Sequence, residues 1–150
     1  MSDLKPDIPK LSDFQIHLQL TKCIVLANNG HTSISSLKMG RMPMRFFDFS
    51  NGMYIIKTDR LNSELLGSKV LKINSNDVSK IRTSVYPYIS GTNEWKKFKA
   101  INFVNAPQFL NEVGLGEKKS IQLTLLKNND TPEVTLNEQN IKDNRLWFES

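Results

Sequence analysis

The sequence predicts an α+β fold, and three observations carry that prediction. A helix with its own start signal opens the readable part of the chain, from Ser12 onward. Two β-rich runs then meet at Ser50-Asn51-Gly52, and Asn-Gly between such runs is a strong hairpin signal. Further strand-like runs at Lys69–Ile73 and Ser120–Leu126 are separated by stretches of helical period, so strands and helices are mixed without a regular βαβ alternation.

Each element follows from local chemistry. Ser12 and Gln15 form a capping box, and Leu11 and Ile16 stand at the staple positions around it. Ile16, Leu20, Cys23, Ile24 and Ala27 recur at helical spacing and are expected to face the core, with Cys23 buried as a free thiol. Asn28, Asn29 and Gly30 are expected to end this helix, because Asn and Gly tolerate a left-handed cap. The runs "PMRFFDFS" and "MYIIKT" form the hairpin. "DRLNSELLG" is expected to be a turn or a single helical turn closing at Gly67, and "KVLKI" a third strand. "NSND" turns the chain, and Val78 opens a helix to about Ile89, with Val78, Ile81, Val85 and Ile89 on one side.

"SGTN" breaks that helix, and Asn93 is placed to cap the next, with Trp95 and Phe98 turned inward and the neighbouring lysines solvated. Pro107 suits the first turn of a short helix, which Gly114 or Gly116 closes. "SIQLTLL" alternates as a half-buried strand, "KNNDTP" turns it and "EVTL" returns. Leu146, Trp147 and Phe148 lie too near the end of the sequence to be expected to form an element of their own; they read as the start of something that continues.

Bulk properties bound the function. With 150 residues and 39% hydrophobic content, the chain has the composition of one globular domain, not of a disordered or membrane protein. A single cysteine excludes an internal disulfide. The first residues, "MSDLKPDIPKLSDF", do not read as a signal peptide, and no run approaches a membrane span. A cytoplasmic protein or an excised piece of a larger one is therefore expected. The net charge of +5 is scattered, so nucleic acid is not an expected partner, although "WKKFKA" is basic and aromatic.

Catalytic chemistry is hard to find. His17, His31 and Cys23 do not have zinc-site spacing, and no metal or cofactor is expected. No nucleophile elbow, phosphate loop or dinucleotide fingerprint is present. Asp48 and Asp59 read as strand-end surface residues.

One stretch says more. Gly67-Ser-Lys-Val70-Leu71-Lys-Ile73-Asn74, followed by Val78, resembles the PDZ-domain signature of a glycine, an I-L-x-I-N strand and a valine that opens the second helix. Ser68 stands where Asp is usual in that signature, and Ser75 where Gly is usual. "NNGHTSI" is similar to the D-G-H-T element of the tail-specific, or C-terminal processing, serine peptidases, with Asn29 in place of the Asp. "MPMRFFDFSNGMYII" resembles the stretch that opens the PDZ-like region of divergent bacterial members, and the segment from Tyr88 to Leu115 resembles their helical insertion.

The resemblance implies a PDZ-like partly open β-barrel or sandwich with flanking helices and an N-terminal helix. It divides the chain into an N-terminal helical segment at 1–36, a PDZ-like domain at 37–137 with an insertion at 93–116, and a linker at 138–150 toward a protease domain missing from this chain. The implied function is non-catalytic recognition of an extended peptide or a protein C-terminus in a peptidase whose parent is extracytoplasmic. The loop from Gly40 through Met42 to Met44 would receive the terminal carboxylate, helped by Arg41 or Arg45, the strand Met44 to Phe49, Phe47 included, would pair with the peptide, and Ile81 and Val85 would line the side-chain pocket. The alternative is a degenerate PDZ-like scaffold that takes no peptide, because Pro43 removes one amide donor from the carboxylate loop.

Overall fold

The computed structural model describes residues 10–26 and 39–137, and the backbone of 147–149. The Asn28–Gly30 helix end, Ala27, the element at His31 and Thr32, and Leu146 lie outside the described residues. The architecture is α+β: helices packed on an open antiparallel sheet, compatible with a PDZ-like fold flanked by helices.

The first helix, α1, runs Asp13–Val25. Its capping box forms as expected: the Gln15 N–H donates to Ser12 Oγ at 3.3 Å, and the Ser12 N–H donates to Gln15 Oε1 at 3.0 Å. The buried face is not the expected one. Leu18 is buried and Phe14 packs on the core, whereas Leu20 is 48% exposed and Cys23 is exposed. Apolar residues occur all around this helix, so periodicity alone does not choose the face. The docking surface chooses it: Lys22 sits 5.0 Å over the Tyr88 ring, and Gln15 Nε2 donates to Glu112 Oε2 at 2.9 Å.

Strands β1 (Met44–Phe49) and β2 (Gly52–Asp59) form the hairpin, with Phe49 opposite Gly52 and an irregularity that leaves Ile56 as the extra residue in β2. Gly52 has φ +137°, and a Cβ there would meet Lys69 Cε at 2.5 Å. A 3-10 helix, Arg60–Leu65, starts at Asp59, whose carboxylate accepts from the Asn62 N–H at 3.1 Å. Strand β3 is Lys69–Ile73, and Asn74 and Ser75 then take left-handed φ values of 49° and 62°. The turn folds the two-residue strand β4 (Asn76–Asp77) back on β3.

Helix α2 is Val78–Val85, shorter than expected, and Tyr86–Tyr88 continue as a 3-10 turn. Pro87 lacks the N–H that an α-helical ladder needs at that point. Ile81, Val85 and Ile89 are nevertheless all buried, and Val78 packs against the core.

Helix α3 is Asn93–Val104, and its cap is Thr92 rather than Asn93: the Thr92 hydroxyl accepts from the Trp95 N–H at 3.3 Å. Its inward residues are Ala100 and Val104, both 0% exposed, and not Trp95 and Phe98, which are 44% and 59% exposed. Small side chains let α3 approach α2 and β1 closely. The two aromatics stack on each other outside, with ring centroids 5.7 Å apart and Lys99 over Trp95. Helix α4 is Pro107–Glu112, and Gly114, at φ +74°, helps end it.

Strands β5 (Ser120–Leu126) and β6 (Glu133–Asn137) complete the main sheet, whose order is β1-β2-β3-β5-β6. Residues Trp147–Glu149, not expected to form an element, are a strand, β7, antiparallel to β2 at Lys57–Asp59. Because β1 already pairs with Lys57 and Thr58, β7 takes the opposite edge of β2, beyond the point where β3 leaves it. The core lies between the inner sheet face (Met44, Phe46, Ile55, Ile73, Ile121, Leu123) and the helices (Ile81, Val85, Phe109, Leu110). Phe109 is fully buried, with Tyr88 and Phe103 edge-on at 5.1 and 5.0 Å.

Candidate strand-edge groove

The expected site residues fall in two groups. Met42, Met44, Ile81 and Val85 are core residues, each 0–1% exposed. They shape the floor between β1 and α2 without opening to solvent. Gly40 is half-buried, while Arg41, Arg45 and Phe47 are exposed. Phe47 turns to the outer sheet face, where it stacks on Phe49 at 4.7 Å, and Phe49 meets Tyr54 edge-on at 5.6 Å.

Strand geometry decides which β1 groups face the groove. β1 is the edge strand of the sheet. Phe49 and Gly52 flank a two-residue turn, and residues in that position bond each other, so Phe49, Phe47 and Arg45 direct their backbone toward β2. Met44, Phe46 and Asp48 then direct theirs outward. The outward carbonyl of Met44 indeed accepts a bond from outside the sheet, from Asn105 Nδ2 at 2.9 Å. Phe46 and Asp48, rather than Phe47, are therefore the positions whose backbone an added strand would meet.

The loop that was expected to hold a carboxylate is already in use. The Met42 N–H donates to the Asn105 carbonyl at 2.9 Å. Pro43 has no N–H, and the Met44 N–H turns back to the Met42 carbonyl at 2.7 Å. Arg41 Nη1 donates to the Asn102 carbonyl. Partial burial of that guanidinium, and then the positive charge of Arg45 beside it, lower its pKa from the ordinary arginine value. At the far end of the groove, Arg82 Nη2 on α2 pairs with Asp48 Oδ1 on β1 at 2.9 Å. Both side chains are about one-fifth exposed (21% and 23%), so this is a partly shielded clasp across the groove.

Two buried polar atoms near these contacts lack a partner among the described residues: Arg82 Nε and Asn105 Oδ1. A shallow depression of about 360 Å³, lined by Phe49, Tyr54, Ile56 and Gly67, lies by the hairpin turn and not between β1 and α2. Among the described residues no three His, Cys, Asp or Glu side chains gather as a metal site would need. No helix there is long and apolar enough to cross a membrane.

The edge strand, the helix beside it and the insertion laid against both can be set beside solved structures. The chain matches mature CPAF with a TM-score of 0.67 at 15% identity, over 91% of this chain. It matches CPAF complexed with lactacystin with a TM-score of 0.65 at 16% identity, over 83% of this chain. A serine-to-alanine mutant of CPAF gives 0.64 at 16% identity. This chain shares its fold with part of CPAF. It spans only about a quarter of the CPAF chains, 24% and 27% of their lengths. No protein-family model matches the sequence, and no curated protein does. At such identity the likeness to CPAF concerns the fold alone.

Asn105 and Arg82 are the groove residues that the sequence did not reveal. Asn105 is 61 positions from Met44, and no local pattern joins them. Arg82 sits beside the apolar α2 face and reads in isolation as a solvated charge.

Proposed function

We propose that this chain is the PDZ-like, non-catalytic region of a protein related to the tail-specific serine peptidases. In this reading residues 37–137 form the PDZ-like unit, 93–116 its insertion, and the outer edge of β1 receives an extended peptide or a protein C-terminus. Peptides bind such edges by backbone pairing, while a helix-lined floor selects side chains. The observation that carries the reading is the chemistry at Met42 and Met44. A loop N–H and a strand C=O there bond a segment from outside the sheet, as they would bond a ligand chain. Ordering a flexible peptide offsets much of the gain, so affinity on the order of micromolar to millimolar is expected.

The test is a backbone amide NMR titration with matched peptides ending in a free carboxylate or an amide. Shifts centred on residues 40–49 and 78–89, larger for the acid form, are expected, together with shifts in the segment at 102–106 that bonds Met42 and Met44. Equal shifts for both forms, or shifts that cluster away from residues 40–49 and 78–89 and the segment laid against them, would remove peptide binding. A scaffold role is the second reading, favoured by the complete burial of Ile81 and Val85. Absence of any peptide response, with the fold intact, would leave that reading in place.

A further inference from the structure

The segment that closes the groove has the chemistry of a bound peptide. Asn105 presents a backbone carbonyl to the Met42 N–H and an amide N–H, from its side chain, to the Met44 carbonyl. That is the acceptor and donor pair a peptide end would offer: a carboxylate oxygen to the loop, a main-chain N–H to the strand. The flanking residues Val104 and Ala106 are each 0% exposed, and Asn105 is 6% exposed. Ala106 is extended, at φ −108° and ψ 95°, so the chain between α3 and α4 briefly leaves helical geometry where it meets β1. Arg41 adds a bond to the Asn102 carbonyl just before it.

We propose that Val104-Asn105-Ala106 is an internal ligand of the β1 groove, and that the external ligand displacing it is an extended peptide ending in a small aliphatic residue with a free carboxylate. This rests on the reading of the β1 edge as a peptide site. Size selection follows from what leaves: a valine and an alanine vacate room for a valine- or alanine-sized terminus, and an aromatic one would overfill it. Displacement is feasible because the internal fit is incomplete. Among the described residues Asn105 Oδ1 is buried without a donor, and Arg82 Nε, at the Asp48 end, is buried without an acceptor. A peptide carbonyl running beside Asp48 would supply that acceptor, which the internal segment does not. The apparent affinity of such a groove is reduced by the fraction of molecules in which it is open.

Two measurements test this on the whole chain. The first is hydrogen exchange with and without saturating peptide ending in valine. Faster exchange at residues 103–106, with residues 42–48 still protected, is expected; unchanged or greater protection at 103–106 in the bound state would overturn the proposal while leaving peptide binding intact. The second compares Asn105→Ala and Asn105→Asp with the parent chain, each first shown to be folded by its melting transition. Both should bind the valine acid peptide about tenfold more tightly, as expected if the closed form outweighs the open one by about ten to one. A peptide ending in phenylalanine should bind more weakly than the valine one. Equal affinity in parent and variants would overturn the internal-ligand idea alone. Absence of binding in all three chains, with faster exchange at Met42 in the variants, would sink the peptide site and the displacement together.

Discussion

Asn105 and Ser75 show how much a single residue can carry. Among the described residues the Asn105 amide is the bond given to the outward Met44 carbonyl, and both groups are buried. Asn105→Ala should therefore lower stability by about 1–3 kcal/mol, the cost of a buried acceptor left unpaired. The check is urea unfolding with an unchanged m-value. Ser75 is strained in the other direction: it holds φ 62°, where a Cβ crowds the following carbonyl. Ser75→Gly should relieve this and raise stability by up to about 1 kcal/mol, after the added freedom of glycine in the unfolded chain is deducted. A fall in the denaturation midpoint would contradict that account. Next to it, Asn74 could not be replaced so freely. Its Nδ2 donates to the Leu115 carbonyl at 2.8 Å and its Oδ1 accepts from the Gln122 N–H at 2.9 Å, tying the turn to both β5 and the end of the α4 region.

Among the elements, the N-terminal helix is the sharpest case. Its capping box was readable from Ser12 and Gln15, because a cap is chemistry within four residues. Its buried face was not, because Phe14, Ile16, Leu18, Leu20 and Ile24 offer more than one apolar stripe. Leu18→Asp should cost roughly 2–5 kcal/mol, since it places a charge where a side chain is only 4% exposed. Leu20→Asp, at 48% exposed, should stay within about 0.5 kcal/mol. Thermal melting of the two variants separates the faces, and the reverse order would mean that α1 docks by its other side. Helix α3 teaches the same point. Large aromatics suggested an inward face, but Ala100 and Val104 hold that position because two helices and a strand meet there at close range. Breaking the Arg82–Asp48 clasp with Arg82→Ala should change stability by no more than about 1 kcal/mol, because the pair is partly solvated.

For the whole molecule, hydrolysis is the decisive question. The sequence has no nucleophile motif, and the chain covers about a quarter of the CPAF length. The purified chain is expected to release no new amines from an unfolded protein substrate, because cleavage needs an activated nucleophile with a base in reach. Amine release at a rate proportional to the purified chain would refute that expectation.

The sequence by itself determined most of the element list. Five of the seven described strands, the capping box, the hairpin turn and the glycine turn at Gly67 are short-range statements, set by period, turn residues and caps. It also determined the fold class, since mixed strand and helix periods without βαβ alternation leave few other arrangements. Only the tertiary structure decided which faces of α1 and α3 are buried, that Trp147–Glu149 finds an edge of β2, and that Phe46 and Asp48 rather than Phe47 direct their backbone outward from the sheet. Only the tertiary structure also brought Asn105 to Met44 across 61 residues. These outcomes depend on which surfaces meet. A side chain can satisfy a distant backbone group only after packing has put the two within hydrogen-bond reach, and nothing in the neighbourhood of either residue encodes that meeting.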